Sequence, residues 1–375
     1  MKVLITGGAG FIGSHLVDKL IEKGYSEVTI FDNLEEQVHG KLETLPSYIN
    51  KKAKFIKSSV INYNTFEKAI KESDIIVHLA ATVGVAQSMY QVEKYVNTNI
   101  LGTANLLDIL NKSKHKIDKL IIASSNTIYG EGKYFCSKCG ITFPPVRSIS
   151  QLTNHDWEVK CPNCQTILTS VPTDESSVLN PSSIYAFTKQ SQEQLSLLIG
   201  KTYNIDFTIL RFFLVYGSRQ SISNPYTGVC NIFATNILNN RSPMIYEDGL
   251  QSRDFVNVND VCQAIILSME KEEAKGQIFN VGTGIPIKIK EVAELFIKKL
   301  NSDLDPLVTQ KYRMGDIRHC IADITKIKKF LGFKPSIAFK DGIDDLINWI
   351  QREKGKIQDK SQLALNELKE KGLLR

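Results

Sequence analysis

Three residues in the middle of the sequence could together move a proton to and from a hydroxyl group. Ser125 ends the apolar run LIIASS, and Tyr185 and Lys189 lie four residues apart in SIYAFTK, so on a helix they share one face. A phenol with a pKa of about 10 is a weak base at neutral pH, but an adjacent positive charge, such as the lysine ammonium, favours the phenolate. The phenolate can take a hydroxyl proton while Ser125 hydrogen-bonds the same oxygen. A packed tyrosine and a solvated lysine would show the same spacing by chance.

A glycine-rich turn near the N-terminus predicts a dinucleotide site. The run KVLIT is followed by Gly7, Gly10 and Gly13 and then by a helical pattern over Ser14–Lys23. Glycine lets the backbone turn sharply and approach a pyrophosphate, which the free N–H groups of the helix start can bind. Asp32 follows 19 residues after Gly13, where an acid accepts hydrogen bonds from a ribose 2′-hydroxyl and repels a 2′-phosphate. The pair predicts NAD rather than NADP, although the turn alone would also fit a tight strand-to-helix connection.

Four of the seven cysteines form two CxxC pairs, Cys136 with Cys139 and Cys161 with Cys164. The 21 residues between the pairs lie just outside the usual window of about 15–20, a difference that a loop can absorb. Four thiolates complete a tetrahedral shell and leave no position for water, so the pairs predict one structural, non-catalytic zinc. His155 is an alternative ligand nearby. The metal would supply folding energy to a segment without a core of its own.

The apolar runs predict the scaffold that positions these residues. AKFIKSSV, DIIVHLAA and KLIIASSNTIYG are predicted to be the third to fifth strands, with helices over TFEKAIK and NILGTANLLDILNKS. Alternating strands and helices indicate an α/β fold with a Rossmann-type doubly wound parallel sheet. We expect ligands at the carboxyl ends of its strands, where Ala80, Ala81 and Ser125 lie. A smaller α/β substrate lobe and the zinc-ribbon insertion would complete the fold.

Composition and charge exclude several classes of function. The chain has 375 residues, of which 42% are hydrophobic and 23% charged, as is ordinary for a globular protein. The net charge of +6 is spread along the chain, so we expect no nucleic-acid binding. No apolar run approaches the roughly 18 residues of a membrane helix, and MKVLITGGAG enters a strand and turn without a signal peptide. We therefore expect a cytoplasmic protein in which cysteines favour metal over disulfides.

Several motifs together resemble the extended short-chain dehydrogenase/reductases that act on nucleotide sugars. They are TGGAGFIG, HLAA, NTNILGTANLL, ASSNTIYG, YAFTK, SRDFVNVNDV and GDIRHCIADITKIKKFLGFKP, and they cover nearly the whole chain. DNLEEQVHG, VGVAQSMYQVEKYV, RQSISNPYTGV and the cysteine insert add a resemblance to the dTDP-L-rhamnose 4-epimerase branch of this family. The resemblance implies a dTDP-6-deoxyhexose as substrate.

The resemblance also implies a role for individual positions. The implied catalytic residues are Ser125, Tyr185 and Lys189. The implied NAD contacts are Gly7, Gly10, Phe11, Ile12, Gly13, Asp32, Asn33, Val60, Leu79, Ala80, Ala81, Asn99, Tyr185 and Lys189. The implied nucleotide-sugar contacts are Ser88, Asn126, Thr127, Asn224, Val229, Tyr246, Arg253 and Arg313. Arginine suits a pyrophosphate because its planar fork donates two hydrogen bonds at once.

Two positions after the catalytic serine narrow the reaction type. Dehydrating relatives place an Asp-Glu pair there, whereas this chain has Asn126 and Thr127, which cannot supply that acid and base. Decarboxylating relatives place a glutamate near this point, and this chain has none there. We therefore expect a 4-epimerase that works through a transient 4-keto sugar. A 4-dehydrogenase or 4-keto reductase uses the same trio and stays open. A further alternative is an NAD-sensing protein whose zinc ribbon binds nucleic acid or protein.

The expected domain boundaries follow from these motifs. We expect a Rossmann domain over 1–132 and 173–220, a zinc-ribbon insert over 133–172, and a lobe over 221–375 that mainly binds the nucleotide sugar. Residues 250–275 are expected to return to the Rossmann domain, and the chain is expected to end in a helical tail. The insert could serve as a lid or wall beside the sugar or as a dimer contact. The resemblance implies a homodimer through the helices carrying Asn99–Leu110 and Tyr185–Leu197.

Overall fold

The structure is a computed structural model that describes residues 1–42, 44–222, 224, 226, 228–353, 355 and 361–375. Its strands are β1 (Lys2–Thr6), β2 (Glu27–Asp32), β3 (Lys54–Lys57), β4 (Ile75–His78), β5 (Lys119–Ser125), β6 (Tyr134–Cys136), β7 (Gly140–Thr142), β8 (Thr169–Ser170), β9 (Phe207–Phe212), β10 (Leu214–Tyr216), β11 (Met244–Ile245), β12 (Ser252–Asn257), β13 (Gln277–Val281), β14 (Pro286–Lys288), β15 (Leu307–Val308) and β16 (His319–Cys320). Residues 223, 225 and 227 of the stretch RQSISNPYTGV lie outside the described residues.

The α-helices alternate with these strands through most of the chain. They are α1 (Phe11–Glu22), α2 (Glu36–His39), α3 (Tyr63–Lys71), α4 (Val85–Ser88), α5 (Val92–Tyr95), α6 (Gly102–Lys112), α7 (Ile149–Thr153), α8 (Ile184–Tyr203), α9 (Val229–Leu238), α10 (Val258–Glu270), α11 (Ile289–Lys299), α12 (Thr325–Leu331), α13 (Phe339–Glu353) and α14 (Ser361–Glu370). A π-helical segment, Val96–Leu101, leads into α6, and short 3-10 helices lie at Asn126–Tyr129 and Glu272–Ala274. Within the described residues, no helix is long and apolar enough to cross a membrane.

Seven parallel strands form the main sheet in the order β13-β9-β5-β4-β1-β2-β3. Strands β4 and β5 are buried along their whole length, as expected for apolar strands covered on both faces. The strand order reverses between β1 and β4, so a crevice opens at their carboxyl ends. The predicted fold class is confirmed, and each of the three predicted strands and two predicted helices contains or overlaps an observed element.

Helices cover both faces of this sheet. On one face α1 packs against α10, and the core there includes Leu16, Val17 and Ile265. On the other face α6 packs against α3 and α8, around a core that includes Phe66 and Leu106. The sheet is therefore the middle of three layers, and its carboxyl edge is free to hold ligands.

The smaller lobe contains a four-stranded sheet in which β12 pairs with β10, β14 and β16. Its core lies among α9, α11 and α13. The expected return of 250–275 to the Rossmann domain has different limits in the structure. Strand β12 belongs to the small sheet, α10 packs on the main sheet, and β13 pairs with β9 at the edge of the main sheet. The segment that returns to the main sheet therefore extends to Val281. The sequence did not predict this limit, because the parallel pairing of QIFNV with β9 depends on tertiary contacts.

The four-cysteine insert forms a small antiparallel sheet in the order β7-β6-β8. Helix α7 lies in the chain between β7 and β8. The C-terminal tail forms α14, whose Ala364 and Leu368 are buried. After α14 the backbone pairs with the segment around Arg313, since Tyr312 N donates to Arg375 O at 2.9 Å and Met314 N donates to Leu373 O at 3.0 Å. Residues 354 and 356–360 of the predicted tail lie outside the described residues.

Candidate active site

The turn between β1 and α1 is shaped to receive an anion. Gly7 has a φ of +68°, and a Cβ added at Gly13 would lie 2.4 Å from Gly7 O, so this close packing requires glycine. Helix α1 has Gly10 as its N-cap, no side-chain cap and no acidic residue in its first turn. The N–H groups and positive dipole end of α1 are therefore left to a ligand, as pyrophosphate binding requires.

Asp32 stands at the carboxyl end of β2 beside this turn. Its carboxylate accepts hydrogen bonds from Ala9 N at 3.1 Å and from Leu34 N at 2.8 Å. His39 Nε2 lies 4.0 Å from Asp32 Oδ1, but burial lowers the pKa of His39 despite the attraction of Asp32. The carboxylate is thus fixed in place by backbone donors, where it can meet a ribose.

A cavity of about 270 Å³ runs from this turn to Tyr185 and Lys189, two of the three predicted catalytic residues, and Ser125 is not among its lining residues. It is lined by all the predicted NAD contacts except one: Gly7, Gly10, Phe11, Ile12, Gly13, Asp32, Asn33, Val60, Leu79, Ala80, Ala81, Tyr185 and Lys189. The exception is Asn99, whose side chain is fully buried behind the wall. It accepts from Thr82 N at 2.8 Å and donates to Thr82 O and to Thr188 Oγ1. Asn99 therefore holds the lining residue Thr82 rather than facing the cavity itself.

The start of α8 positions Tyr185, the predicted acid and base. Ser183 caps the helix by accepting from Ala186 N at 3.1 Å, and Tyr185 N donates to Ser88 Oγ at 3.0 Å. One turn later, Lys189 Nζ donates to Ala123 O at 2.9 Å, which ties the helix to β5. Ser88 is fully buried at this point and supports the helix start, and its contact with a substrate stays a prediction.

Burial shifts the pKa values of Tyr185 and Lys189 in opposite directions. Burial raises the pKa of Tyr185 to about 12, and the hydrogen bond with Ser125 lowers it only in part. Burial also lowers the pKa of Lys189 to about 8, against the raising effect of Glu193. The protein's own groups therefore hold Tyr185 as a neutral phenol, because desolvation outweighs the stabilisation of the phenolate.

The two residues after Ser125 are hydrogen-bonded to other groups of the protein. Thr127 Oγ1 donates to Ser125 Oγ at 3.0 Å, and the Asn126 side chain is hydrogen-bonded to the thiol of Cys320. Neither residue lines the cavity. Asn126 links the end of β5 to the small sheet, because Cys320 pairs with Arg253 there.

Three predicted substrate contacts lie in the smaller lobe, outside the lining of the cavity. The Arg313 guanidinium stacks over the Tyr246 ring at 5.1 Å from its centroid, and Arg313 Nε donates to Asp316 Oδ2 at 2.8 Å. Arg253 donates to the backbone oxygens of Ser252, Ile317 and Arg318. The structure thus brings Tyr246 and Arg313 together and holds Arg253 against the same segment.

Asn224 and Val229 flank the other side of the site. Asn224 lines the cavity, and its Oδ1 accepts from Gln37 Nε2 at 3.2 Å and from Tyr226 N at 3.1 Å. Val229 is half-buried at the start of α9. The two residues therefore belong to one loop-to-helix segment between the cavity and the lobe.

Several lining residues are absent from the sequence-based predictions, among them Gln37, His39, Ser124 and Phe212. Ser124 Oγ is buried without a hydrogen-bond partner, and a buried hydroxyl that faces a cavity marks a place for a ligand atom. The signal was the Ser-Ser pair at the end of β5, since successive residues of a strand face opposite sides. Gln37 and His39 lie in the stretch DNLEEQVHG, which begins at Asp32.

The four cysteines of the insert converge on one point. Their sulfur atoms all lie within 4.8 Å of one another, and the Cys136 and Cys164 sulfurs are 3.5 Å apart. A zinc at about 2.3 Å from each sulfur would place the sulfurs about 3.8 Å apart. Cys136 and Cys161 are buried, whereas Cys139 is exposed. The donor set and its spacing fit a closed four-thiolate metal site.

Comparison with known proteins identifies the class of enzyme. The family described as GDP-mannose 4,6 dehydratase has a sequence model that matches residues 4–138 and 167–346, so it omits much of the four-cysteine insert. The chain belongs to this family of NAD-dependent nucleotide-sugar epimerases and dehydratases. The predictions of that resemblance and of an enzyme of the nucleotide-sugar epimerase class are thereby confirmed.

Relatives within the family include several epimerases. The dTDP-L-rhamnose 4-epimerase of Burkholderia thailandensis is 30% identical over 94% of this chain and 95% of its own length. A putative UDP-glucose 4-epimerase of Methanocaldococcus jannaschii is 34% identical over 93% of this chain and 98% of its own. The structure of UDP-glucose 4-epimerase from Thermotoga maritima with UDP-glucose has a TM-score of 0.77 at 31% identity and covers 94% of this chain and 100% of that one.

Proposed function

We propose that the protein is an NAD-dependent nucleotide-sugar 4-epimerase that acts on a dTDP-6-deoxyhexose such as dTDP-L-rhamnose. The observation that carries the proposal is that Tyr185 and Lys189 line the same cavity as the glycine turn and Asp32. The glycine cradle, the uncapped start of α1 and the unpartnered Ser124 hydroxyl all fit NAD. Asp32 would meet the ribose, and the N–H groups of α1 would meet the pyrophosphate.

The chain's own residues would manage the proton at the sugar hydroxyl. NAD, when bound, accepts a hydride from the sugar carbon and returns it. Tyr185 would take the hydroxyl proton as the hydride leaves and give it back afterwards, with Ser125 hydrogen-bonded to the same oxygen. The Lys189 ammonium would stabilise the phenolate, which must form in a site where burial opposes it. The Tyr246–Arg313 pair would hold the nucleotide while the sugar turns its other face.

The absence of a second acid and base near Ser125 favours epimerisation over dehydration. Thr127 is hydrogen-bonded to Ser125, and Asn126 is hydrogen-bonded to Cys320. Within the described part of the chain, the carboxylates that line the cavity are Asp32 and Glu35, both at or just after the end of β2. A carboxylate pair for removing water is therefore missing at the sugar end of the cavity.

Incubation with a panel of nucleotide sugars tests this proposal. We expect the purified protein to carry NAD and to interconvert C4 epimers of a dTDP-linked 6-deoxysugar, with no net change at the nicotinamide absorbance band. The panel should include UDP-glucose and UDP-N-acetylglucosamine, because several similar proteins are named for UDP sugars. Stoichiometric NADH release without an epimer would favour the 4-dehydrogenase alternative.

A tyrosine substitution tests the proposed acid and base. Tyr185→Phe should keep the fold and the NAD but lower kcat by about 10²–10⁴, the usual contribution of a positioned acid or base. Ser125→Ala should lose less, because it removes one hydrogen bond to the substrate oxygen. Tyr203→Phe is a matched control in the same helix, since Tyr203 is 50% exposed at its far end. Near-normal turnover by Tyr185→Phe would show that another group moves the proton.

We also propose one structural zinc at Cys136, Cys139, Cys161 and Cys164. The convergence of the four sulfurs supports it, and four protein ligands leave no position for a substrate or water. A reducing cytoplasm, where we place the protein, would keep these thiols available for the metal. Metal analysis should find about one zinc per chain, and a purified protein without metal would contradict the proposal.

A homodimer through α6 and α8 is the third part of the proposal. Leu101, Phe187 and Leu198 are 42%, 52% and 66% exposed, and α8 packs against α6 and the π-helical segment. Apolar side chains on one such face suit a partner helix pair. Sedimentation should give a dimer, and Phe187→Glu should weaken it, whereas Leu307→Glu, at a 53% exposed leucine in β15, should not. A monomeric wild-type protein would refute the interface.

A further inference from the structure

A buried arginine joins the four-cysteine insert to the smaller lobe. Arg147, between β7 and α7, has a side chain that is 2% exposed. Its guanidinium forms a two-pronged pair with Glu247, with NH1 to Oε2 at 2.9 Å and NH2 to Oε1 at 3.0 Å. The same groups donate to Trp157 O at 3.0 Å and to Asp316 O at 3.1 Å. Arg147 is therefore fixed by the insert and in turn fixes two points of the lobe.

Those two points adjoin the predicted nucleotide contacts. Glu247 directly follows Tyr246, and the carboxylate of Asp316 accepts from Arg313 Nε at 2.8 Å. The Arg313 guanidinium in turn stacks over the Tyr246 ring. A planar fork holds its partners in one orientation, so Arg147 constrains both sides of the Tyr246–Arg313 pair without belonging to it.

The insert supports the same segment at a second place. The Trp157 ring lies 6.3 Å from the Tyr312 ring, and Thr153 Oγ1 is hydrogen-bonded to Tyr312 OH at 2.9 Å. Tyr312 immediately precedes Arg313. The segment that carries Arg313 therefore packs on the insert through its aromatic neighbour as well as through Arg147.

A fully buried arginine continues this contact toward the end of the small sheet. Arg318 is 0% exposed and donates to Glu158 of the insert and to Glu247 and Asp248 of the lobe. Its backbone oxygen accepts from Arg253 NH1 at 3.0 Å. The network of Arg147, Glu158, Glu247, Asp248 and Arg318 thus underlies the predicted contacts Tyr246, Arg253 and Arg313.

We propose that Arg147 is a positioning residue for the nucleotide diphosphate of the substrate. It acts through Glu247 and Asp316 by holding Tyr246 and Arg313 in the orientation that binds the diphosphate. This inference rests on the proposed nucleotide-sugar function. The insert then contributes to substrate affinity from behind the binding site, rather than as a lid over the sugar.

Calorimetry of the zinc- and NAD-loaded protein with dTDP and with UDP tests the proposal without requiring turnover. Arg147→Met should weaken the binding of whichever nucleotide the wild type binds by about 10- to 100-fold, the size of effect that a misplaced binding group produces. Lys160→Met is the matched control, because it removes a cation of the same insert whose ion-pair partner among the described residues is the partly exposed Asp156. The control should bind as the wild type does, and both variants should keep their zinc and NAD.

The coupling between Arg147 and Arg313 separates positioning from a general structural role. Because Arg147 acts through both Arg313 and Tyr246, the loss of binding in the double variant Arg147→Met/Arg313→Ala should be smaller than the sum of the two single losses. With an active sugar, KM should rise while kcat changes little, because the Ser125–Tyr185–Lys189 trio is untouched. Arg147→Lys keeps the positive charge and the fold but loses the planar fork, so it should also weaken nucleotide binding.

Each other outcome decides against a specific part of the inference. Unchanged nucleotide binding in Arg147→Met and Arg147→Lys, or fully additive losses in the double variant, would overturn the positioning role. A wild-type protein that binds neither dTDP nor UDP would overturn the proposed function, and the positioning role with it. Normal binding by Arg313→Ala would overturn the nucleotide contact through which Arg147 is proposed to act.

Discussion

Cys161→Ser should show whether the smaller lobe depends on the zinc that we propose for the insert. The insert has a small buried core of its own, made by Tyr134, Cys136, Val159, Cys161 and Leu168. Two of these five residues are proposed zinc ligands, so the core cannot hold the segment once a ligand is lost. We expect the variant to lose its zinc and the insert to unfold around an otherwise folded protein.

The expected loss of stability follows from the buried charges that lose their partners when the insert unfolds. Unfolding of the insert removes Arg147 and Glu158 from Glu247 and Arg318, which are both buried. Removing one partner from a buried charge network costs about 3–5 kcal/mol. With an unfolding entropy of about 2.1 cal/mol/K for each of the 375 residues, that loss corresponds to a Tm about 4–6 °C lower.

Metal analysis, thermal unfolding and retained NAD provide the measurement. We expect no zinc, a lower Tm and weaker sugar turnover in Cys161→Ser, with NAD still bound, because the glycine turn belongs to another part of the fold. Cys230→Ser makes the same chemical change at a buried cysteine of α9 and should keep its zinc. Loss of NAD with unchanged turnover, or an unchanged Tm in the zinc-free variant, would refute this reasoning.

Three further predictions concern the main cavity. The kcat/KM should fall as pH rises through about 8, because Lys189, whose pKa burial lowers to about 8, then loses the charge that stabilises the Tyr185 phenolate. Lys189→Met should be slow and should not show this decline in kcat/KM. A wild-type kcat/KM that stays constant above that pH would contradict the proposed role of Lys189. Asp32→Ala should weaken NAD binding by about 10- to 100-fold, as expected for charge-assisted hydrogen bonds, and narrow the preference over NADP in a titration with both. Gly13→Ala should lose about 1–3 kcal/mol of stability from overpacking and also lose NAD, because its Cβ would meet Gly7 O at 2.4 Å; a normal melting curve with full NAD would count against that packing.

The parts of the fold that the sequence predicts well are those encoded by local pattern. The apolar run of β5 is buried on every residue, so its burial was visible from composition alone. The spacing of Tyr185 and Lys189 needs only a helix, and α8 supplies it. The four cysteines converge because each CxxC pair presents two sulfurs from one tight turn.

The remaining features depend on contacts between distant parts of the chain. The QIFNV strand carries no signal that distinguishes the main sheet from the small one, yet it pairs with β9. Asn99 was predicted to contact NAD, but its hydrogen bonds with Thr82 and Thr188 become visible only in three dimensions. Arg147 is a single charged residue outside any repeating pattern. Its pairing with Glu247, 100 positions away, could therefore not be inferred from spacing.

The way in which the insert joins the body explains how it can sit between Ser125 and Tyr185 without disturbing them. The chain leaves at Lys133 and returns at Thr173, and these points are hydrogen-bonded to each other, with Lys133 N donating to Thr173 Oγ1 at 3.0 Å. Val171 N also donates to Lys133 O at 3.1 Å. Because entry and exit meet at one place, a segment of any size can be accommodated there while β5 and α8 keep their positions. The insert can therefore act on substrate binding through Arg147 and remain outside the proton chemistry of Ser125 and Tyr185.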